Sequence, residues 1–132
     1  MTRYLSVDLG EKKTGIAWCG PKGWVEPLEV VATAQLEAAL RHWLVTLEID
    51  CLVYGLPLRA GKLAGAAKKV RREGRQMAAQ LELPVEFVDE SGTTDEAVQR
   101  PGSKGLDARA AALILERFLD QGPWQPERNK NP

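Results

Sequence analysis

The first apolar positions of the chain alternate with polar ones, which predicts a short β-strand. Leu5, Val7 and Leu9 fall on one face of this strand, and Asp8 falls on the other. A glycine-bracketed turn comes next, and the segment 14–19 then predicts a second strand. Asp8 is therefore a carboxylate at the end of an otherwise apolar strand, beside a turn that lets another backbone approach closely.

Later segments alternate between strand-like and helix-like patterns. Apolar residues predict strands at about 24–32, 51–55 and 85–88, and amphipathic helices at about 34–48, 66–83 and 106–120. Pro27 places the third strand at an edge or a bulge, because proline has no amide hydrogen to give to a sheet. Thr33 is the predicted N-cap of the first helix. This order predicts an α/β fold with a five-stranded mixed sheet, in which three antiparallel strands precede two parallel ones and helices flank the sheet.

The length and the end of the chain bear on its domain organisation. A chain of 132 residues is long enough for one domain with a sizeable core. We expect that domain to span residues 1–121. The segment 122–132 is polar and rich in proline, which predicts a flexible tail.

Charge is balanced overall but uneven along the chain. The 18 basic and 18 acidic residues cancel, so the net charge indicates no particular partner. Six bases and one acid lie between positions 62 and 75, however, and six acids without a base lie between 82 and 96. A basic patch next to an acidic cluster is compatible with phosphate binding beside a metal site. Two solvated faces remain the alternative explanation.

Composition also indicates the compartment. Cys19 and Cys51 lie in apolar runs without metal-ligand spacing, which is typical of core thiols in a reducing environment. No apolar stretch approaches the roughly 20 residues of a membrane span, and no signal peptide precedes the first strand. We therefore expect a cytoplasmic protein that does not bind membranes. His42 falls off the apolar stripe of its helix, so we expect it to be exposed and without a catalytic role.

Three carboxylates are predicted to converge. Asp8 ends the first strand and Glu90 follows the fifth, and the carboxyl ends of parallel strands meet at one edge of a sheet. Asp107 begins the last helix on its buried side. Converging acids repel one another unless a cation joins them, and oxygen ligands suit Mg²⁺ or Mn²⁺. Alternatively, Asp107 is only a helix cap, Glu90 the polar end of a strand, and Asp8 a solvated residue at a strand end before a turn. If Asp8 is buried, Lys12 or Lys13 could pair with it in place of a metal ion.

Four motifs in order resemble those of the YqgF/RuvX family of Holliday junction resolvases and pre-16S rRNA nucleases, which have the RNase H-like fold. They are DLGEKKTGIA at 8–17, YGLPL at 54–58, LPVEFVDE at 83–90 followed by Thr93 and Thr94, and DARAA at 107–111. The resemblance covers residues 4–120. It departs at Ser91, where the family has an arginine. The cationic contact of that arginine to the scissile phosphate would then be either missing or supplied by Lys12, Lys13 or Arg59.

The resemblance implies a metal-dependent nuclease. Asp8, Glu90 and Asp107 would be its catalytic metal ligands, with Asp8 bridging two Mg²⁺ or Mn²⁺ ions, and hydrolysis would leave a 3′-hydroxyl and a 5′-phosphate. RNA, DNA or both would be the partner. The residues expected to contact nucleic acid are Lys12, Lys13, Arg59, Lys62, Lys68, Lys69, Arg71, Arg72, Arg75, Thr93 and Thr94.

Several functions are compatible with these features. We favour maturation of the 16S rRNA 5′ end by a monomer or a weak homodimer. Holliday junction resolution, or another nuclease role in DNA repair, is the alternative and would ordinarily need a symmetric dimer. A non-catalytic nucleic-acid-binding module is a further possibility. Sugar-kinase or actin-like ATPases share the D-x-G-x-x-x-x-G spacing, but they close two such domains around a nucleotide and this chain has one.

Overall fold

The computed structural model describes residues 2–59, 62–90 and 108–125. Its helices and strands are β1 (Tyr4–Asp8), β2 (Lys13–Cys19), β3 (Val25–Ala32), α1 (Leu36–Thr46), β4 (Cys51–Leu56), α2 (Gly65–Leu81), β5 (Val85–Asp89) and α3 (Arg109–Gln121). A short 3₁₀ helix, Thr33–Gln35, leads into α1. These bounds agree with the predicted elements to within a few residues.

The five strands form one sheet in the order β3-β2-β1-β4-β5. β1 pairs antiparallel with β2, and β2 pairs antiparallel with β3. β4 pairs parallel with both β1 and β5, through Val7 opposite Tyr54 and Tyr54 opposite Phe87. The predicted mixed α/β sheet is confirmed, and the ends of β1, β4 and β5 meet at one edge, called here the carboxyl edge.

Alternate residues of the strands contribute to two separate cores. On one face, large side chains such as Leu5, Leu52 and Tyr54 pack under α1 and α2. On the other, Val53 and Val88 pack under α3. The predicted inward side of that last helix is confirmed, because all four of its residues are buried: Ala111, Ile114, Leu115 and Phe118. β4 is buried along its whole length, as expected for a strand covered on both faces.

β3 is both an edge strand and a bulged one. Ile16 pairs with Glu29 and the next residue, Ala17, pairs with Pro27, so one residue of β3 has no partner between them. Pro27 therefore costs the sheet no necessary hydrogen bond. The placement predicted for this proline is confirmed.

Thr33 does not cap α1, contrary to the prediction. No side-chain hydrogen bond caps either the 3₁₀ helix or α1. Instead, the Thr33 hydroxyl donates to the Gly10 carbonyl oxygen at 2.8 Å, and the Thr33 amide donates to the Lys12 carbonyl oxygen at 2.8 Å. Its side chain thus supports the turn that follows Asp8, a contact between segments far apart in sequence.

Other predictions concern single residues and the chain end. Cys19 and Cys51 are buried free thiols, and His42 is exposed. Trp124 lies in the predicted tail; its amide donates to the Phe87 carbonyl oxygen at 2.7 Å. Residues 126–132 lie outside the described part of the chain, so the boundary at 121 remains a prediction. Within the described ranges, no helix is both long and apolar enough to span a membrane.

Candidate active site at the carboxyl edge

Asp8 lies at the carboxyl edge on the α3 side of the sheet. It is the last residue of β1, two positions after Ser6, which is fully buried and donates through its hydroxyl to the Ala111 carbonyl oxygen at 2.7 Å. Because alternate residues of a strand share a face, the Asp8 side chain also points toward α3. The strand therefore presents a carboxylate where α3 begins.

Glycines flank Asp8 on both neighbouring strands. Gly15 of β2 pairs directly with Asp8, and Gly55 of β4 lies one residue beyond the Val7–Tyr54 pair. A Cβ built on Gly15 would lie 3.6 Å from the Ala108 Cα and 3.8 Å from the Asp8 Cβ. These are ordinary van der Waals distances, so Gly15 marks where the start of α3 contacts the end of β1.

The second glycine brings Glu90 to the same face. A Cβ on Gly55 would lie 2.7 Å from the Ile114 Cδ1 and 3.0 Å from the Glu90 Cβ. Glu90 follows β5, is 8% exposed, and its amide donates to the Leu56 carbonyl oxygen at 3.0 Å. The structure thus brings Asp8 and Glu90 to one edge and one face. Asp107 lies outside the described residues and immediately precedes Ala108 in the sequence.

The surroundings of Asp8 favour a cation. Its side chain is half-buried, and no described residue gives its carboxylate a hydrogen bond or an ion pair. Burial raises the pKa of Asp8 above its ordinary value, because the charged form loses solvation. A divalent cation held between Asp8 and Glu90 would offset that cost, and all-oxygen ligands are those that Mg²⁺ and Mn²⁺ prefer.

The carboxyl edge has no complete metal site within the described residues. Among them, no group of three or more His, Cys, Asp or Glu side chains is placed to hold a metal ion. The third predicted ligand, Asp107, falls in the gap between 90 and 108. The described residues therefore supply two oxygen-bearing side chains of the predicted three.

A network of hydroxyl groups braces the turn after Asp8. The Thr14 and Thr33 hydroxyls are 2.8 Å apart, and the Gly10 amide donates to the Thr14 hydroxyl at 3.4 Å. A Cβ on Gly10 would collide with the Lys13 carbonyl oxygen, so this position needs glycine. Sequence reasoning missed this network, since no local spacing connects the two threonines.

Four of the predicted cationic contacts lie in segments that leave the carboxyl edge. Lys12 and Lys13 are exposed in and just after the β1–β2 turn. Arg59 and Lys62 are exposed in the loop between β4 and α2, and their backbones pair with each other. Thr93 and Thr94 lie outside the described residues.

The remaining predicted contacts lie on the other side of the sheet. Leu63 and Gln76 line a surface cavity of about 410 Å³ on α2 together with basic side chains. The basic residues that line it, called here the α2 basic face, are Lys68, Arg71, Arg72 and Arg75. Lys69 lines a neighbouring cavity instead. α3 covers the face that holds Asp8 and Glu90, whereas α2 covers the opposite face. The acidic pair and the α2 basic face therefore lie on opposite sides of the sheet.

Comparison with known proteins shows relatives along nearly the whole chain. The sequence profile described as "RuvX: Holliday junction resolvase" matches residues 2–121. A Synechococcus sp. (strain CC9902) protein named "Putative pre-16S rRNA nuclease" is 40% identical over 129 residues, which cover 90% of this chain and 79% of that protein. A protein of the same name from Acaryochloris marina (strain MBIC 11017) is 35% identical over 135 residues, covering 91% of this chain and 93% of that one.

Solved structures give the fold independently. T. thermophilus RuvC in complex with a Holliday junction substrate superposes with a TM-score of 0.58 at 16% identity, covering 92% of this chain and 97% of that one. A second Thermus thermophilus RuvC structure gives a TM-score of 0.56 at 14% identity, covering 92% and 98%. At such identities the likeness shows the fold alone, and it confirms the RNase H-like architecture that the motifs implied.

Proposed function

The chain belongs to the RuvX family of Holliday junction resolvases, and we propose that it is a divalent-metal-dependent nuclease that matures the 5′ end of 16S rRNA. The observation that supports a nuclease most directly is the pair of carboxylates, Asp8 and Glu90, on one face of the carboxyl edge. The half-buried carboxylate of Asp8, which no residue in the described part of the chain pairs, favours a metal cofactor.

Asp8, Glu90 and Asp107 would hold Mg²⁺ or Mn²⁺. When bound, two such ions supply charge neutralisation at the scissile phosphate and activation of water. The chain's own residues do the rest. The close packing at Gly55 would keep Glu90 in place, and the threonine network would hold the turn that follows Asp8.

Cationic side chains would hold the nucleic-acid backbone. Lys12, Lys13, Arg59 and Lys62 would contact phosphates next to the cleaved bond, since they lie in segments that leave the carboxyl edge. The α2 basic face would hold the strand farther along, as it passes around that edge. Such contacts are made to the charged phosphates and not to the bases. Binding should therefore be sensitive to salt and largely independent of nucleotide sequence. Thr93 and Thr94 would add contacts from the motif they belong to.

The relatives' names favour ribosomal RNA as the substrate. Both cyanobacterial relatives described above are named for pre-16S rRNA, and such a substrate implies a cytoplasmic location. Junction resolution is the second candidate, favoured by the RuvC-like fold and by the family description. It requires two sites facing two strands, and hence a symmetric dimer in place of a monomer or weak homodimer.

Cleavage of three labelled substrates tests the proposal. They are an RNA that spans the mature 5′ end of 16S rRNA, single-stranded DNA, and a four-way junction, each incubated with Mn²⁺, Mg²⁺ or EDTA. Wild type is compared with Asp8→Asn. Asp120→Asn is the matched control, because Asp120 is an exposed acid near the far end of α3.

The outcomes separate the candidate functions. We expect metal-dependent cleavage of the RNA by wild type and Asp120→Asn, and a loss of about 100-fold or more in Asp8→Asn. Preferred cutting of the junction by a dimeric species would support resolution instead. If no variant cuts any substrate while all bind with a steep salt dependence, the chain is a nucleic-acid-binding module. Binding of ATP would support an ATPase-like function.

A further inference from the structure

A cleft on the α2 side of the sheet reaches the carboxyl edge, and none of the roles proposed above uses it. One part, a cavity of about 210 Å³, lies between the β1–β2 turn and the first turns of α2. A second part of about 260 Å³ continues toward α1. Leu9, Thr33 and Glu73 line both parts, so the two parts adjoin one another.

The walls of the first part suit a small flat group. Leu9, Pro57 and Val70 supply apolar surface. Charge comes from Lys69 and from two acids, Glu11 and Glu73. A pocket for a drug-sized ligand occupies about 300–1,000 Å³. At about 210 Å³ this part of the cleft matches a smaller unit, such as one nucleobase.

Glu73 is the charged residue that lines both parts of the cleft. It is the single acid of α2, and it lies away from the α2 basic face. Burial, and then the charge of Glu73, raise the pKa of Tyr54 beneath it. No described residue forms a hydrogen bond or an ion pair with the Glu73 carboxylate. A carboxylate can only accept hydrogen bonds, so its complement is a group with donors.

We propose that the cleft binds an unpaired guanine base of the substrate strand, with the Glu73 carboxylate accepting two hydrogen bonds from its Watson–Crick edge. Guanine presents two adjacent donors there, N1–H and N2–H. Adenine, cytosine and uracil each set an acceptor beside their donor, which would face the carboxylate unfavourably. Unpaired bases are commonly read on this edge while apolar side chains contact their faces.

The cleft lies within reach of the cleavage site. Gly10 and Glu11 line it, and the Gly10 Cα is at most about 7 Å from the Asp8 Cα along an extended chain. Lys69 lines the cleft and is next to Lys68 on the α2 basic face. A strand that passes from that basic face to Asp8 would therefore bring a neighbouring base to Glu73. This inference rests on the proposed nuclease function, because the base is delivered by a bound strand.

Binding in EDTA tests the inference apart from cleavage. Fluorescence anisotropy compares a short uridine-rich RNA containing one guanine with the same RNA containing adenine at that position. Glu73→Gln is the test variant, since it replaces one acceptor oxygen by a donor. Glu116→Gln is the control, because it also removes one negative charge but at an exposed position on α3. Circular dichroism establishes that both variants are folded.

We expect wild type and Glu116→Gln to bind the guanine RNA about tenfold more tightly than the adenine RNA, and Glu73→Gln to lose that preference. Equal affinity of wild type for the two RNAs would overturn the inference, as would an unchanged preference in Glu73→Gln. A second measurement uses wild type alone: photo-crosslinking of a 6-thioguanine RNA should label the cleft residues, and labelling confined to the α2 basic face would contradict it. A guanine preference without cleavage would refute the nuclease proposal and support guanine binding in the cleft. Metal-dependent cleavage without a guanine preference would support the nuclease proposal and refute guanine binding.

Discussion

The two faces of the sheet are packed in different ways. Under α1 and α2 the contacts are made by large side chains, among them Leu5, Leu52 and Tyr54, all essentially inaccessible to solvent. Under α3, small residues occupy the positions nearest the carboxyl edge: Ser6, Gly15 and Gly55 on the strands and Ala111 on the helix. One face therefore gains stability from buried apolar area, and the other gains close approach between backbones.

This difference explains where the candidate site lies. A carboxylate needs a defined position to hold a metal ion. A helix that packs directly on a strand backbone fixes the position of a carboxylate on that strand, because few rotatable side chains lie between the helix and the strand. The face under α1 and α2, called here the bulky face, has its basic residues on the outer surface of α2. The face under α3, called here the small-residue face, holds Asp8 and Glu90. We therefore expect the bulky face to govern stability and the small-residue face to govern the geometry of the site.

The largest effect on stability should come from the bulky face. Leu52 is fully buried there, so Leu52→Ala should lower the free energy of unfolding by about 2–5 kcal/mol. Urea denaturation measures the loss, and Mn²⁺ affinity of the variant that remains folded should stay near that of wild type. A large drop in Mn²⁺ affinity with little loss of stability would reverse the roles of the two faces.

Gly55→Ala should cost less stability and more function. Its Cβ would meet Ile114 at 2.7 Å and Glu90 at 3.0 Å, and such overpacking costs about 1–3 kcal/mol. Displacement of Glu90 should also weaken Mn²⁺ binding and cleavage.

Gly15→Ala is the matched control for that change, since its nearest contact would be an ordinary 3.6 Å. Unfolding and Mn²⁺ titrations of the two variants are compared side by side. Equal effects of the two substitutions would contradict the close-packing account of the α3 face.

A smaller effect of opposite sign is expected at Asp8. Burial raises its folded-state pKa above 3.8, so the folded state binds more protons than the unfolded state between these two values. Wild-type stability should therefore fall as pH rises through that interval and stay lower above it. An asparagine side chain does not titrate, so Asp8→Asn should melt a few degrees higher than wild type at neutral pH in metal-free buffer. Thermal melts between pH 4 and 8 measure this, and a variant that melts lower at neutral pH would argue that Asp8 is stabilised by an existing partner.

The smallest effect on stability is expected on the α2 basic face. The double variant Arg72→Gln/Arg75→Gln removes two exposed charges and should change the free energy of unfolding by less than about 0.5 kcal/mol. It should nevertheless lower the slope of log affinity against log salt for single-stranded RNA by about 1.4. Lys22→Gln, an exposed change in the turn at the opposite edge, should leave the slope unchanged. An unaltered slope in the double variant would remove this face from the binding surface.

Much of the fold could be predicted because its signals are local. Alternation and short turns indicated the antiparallel strands, and a continuous apolar run indicated that β4 is covered on both faces. Strand direction then placed Asp8 and Glu90 at one edge. These inferences need only the period of the pattern and the handedness of crossovers.

The rest depends on contacts between distant segments. The phase of α2 does not reveal that Glu73 faces a cleft while its basic neighbours face outward. Nothing near Thr33 in sequence shows that its hydroxyl supports Gly10, and propensity favoured a helix cap instead. The sequence places Gly55 in a buried strand, but the residues that approach it, Ile114 and Glu90, come from other elements.

Calorimetric titration of Mn²⁺ tests the central claim most directly, since it needs no substrate. Wild type and the Asp120→Asn control should bind the ion alike, and Asp8→Asn and Glu90→Gln should each lose at least about tenfold in affinity. That result would establish Asp8 and Glu90 as parts of one metal site at the carboxyl edge. Binding of Mn²⁺ to Asp8→Asn with wild-type affinity would contradict it and leave the two carboxylates without their proposed role.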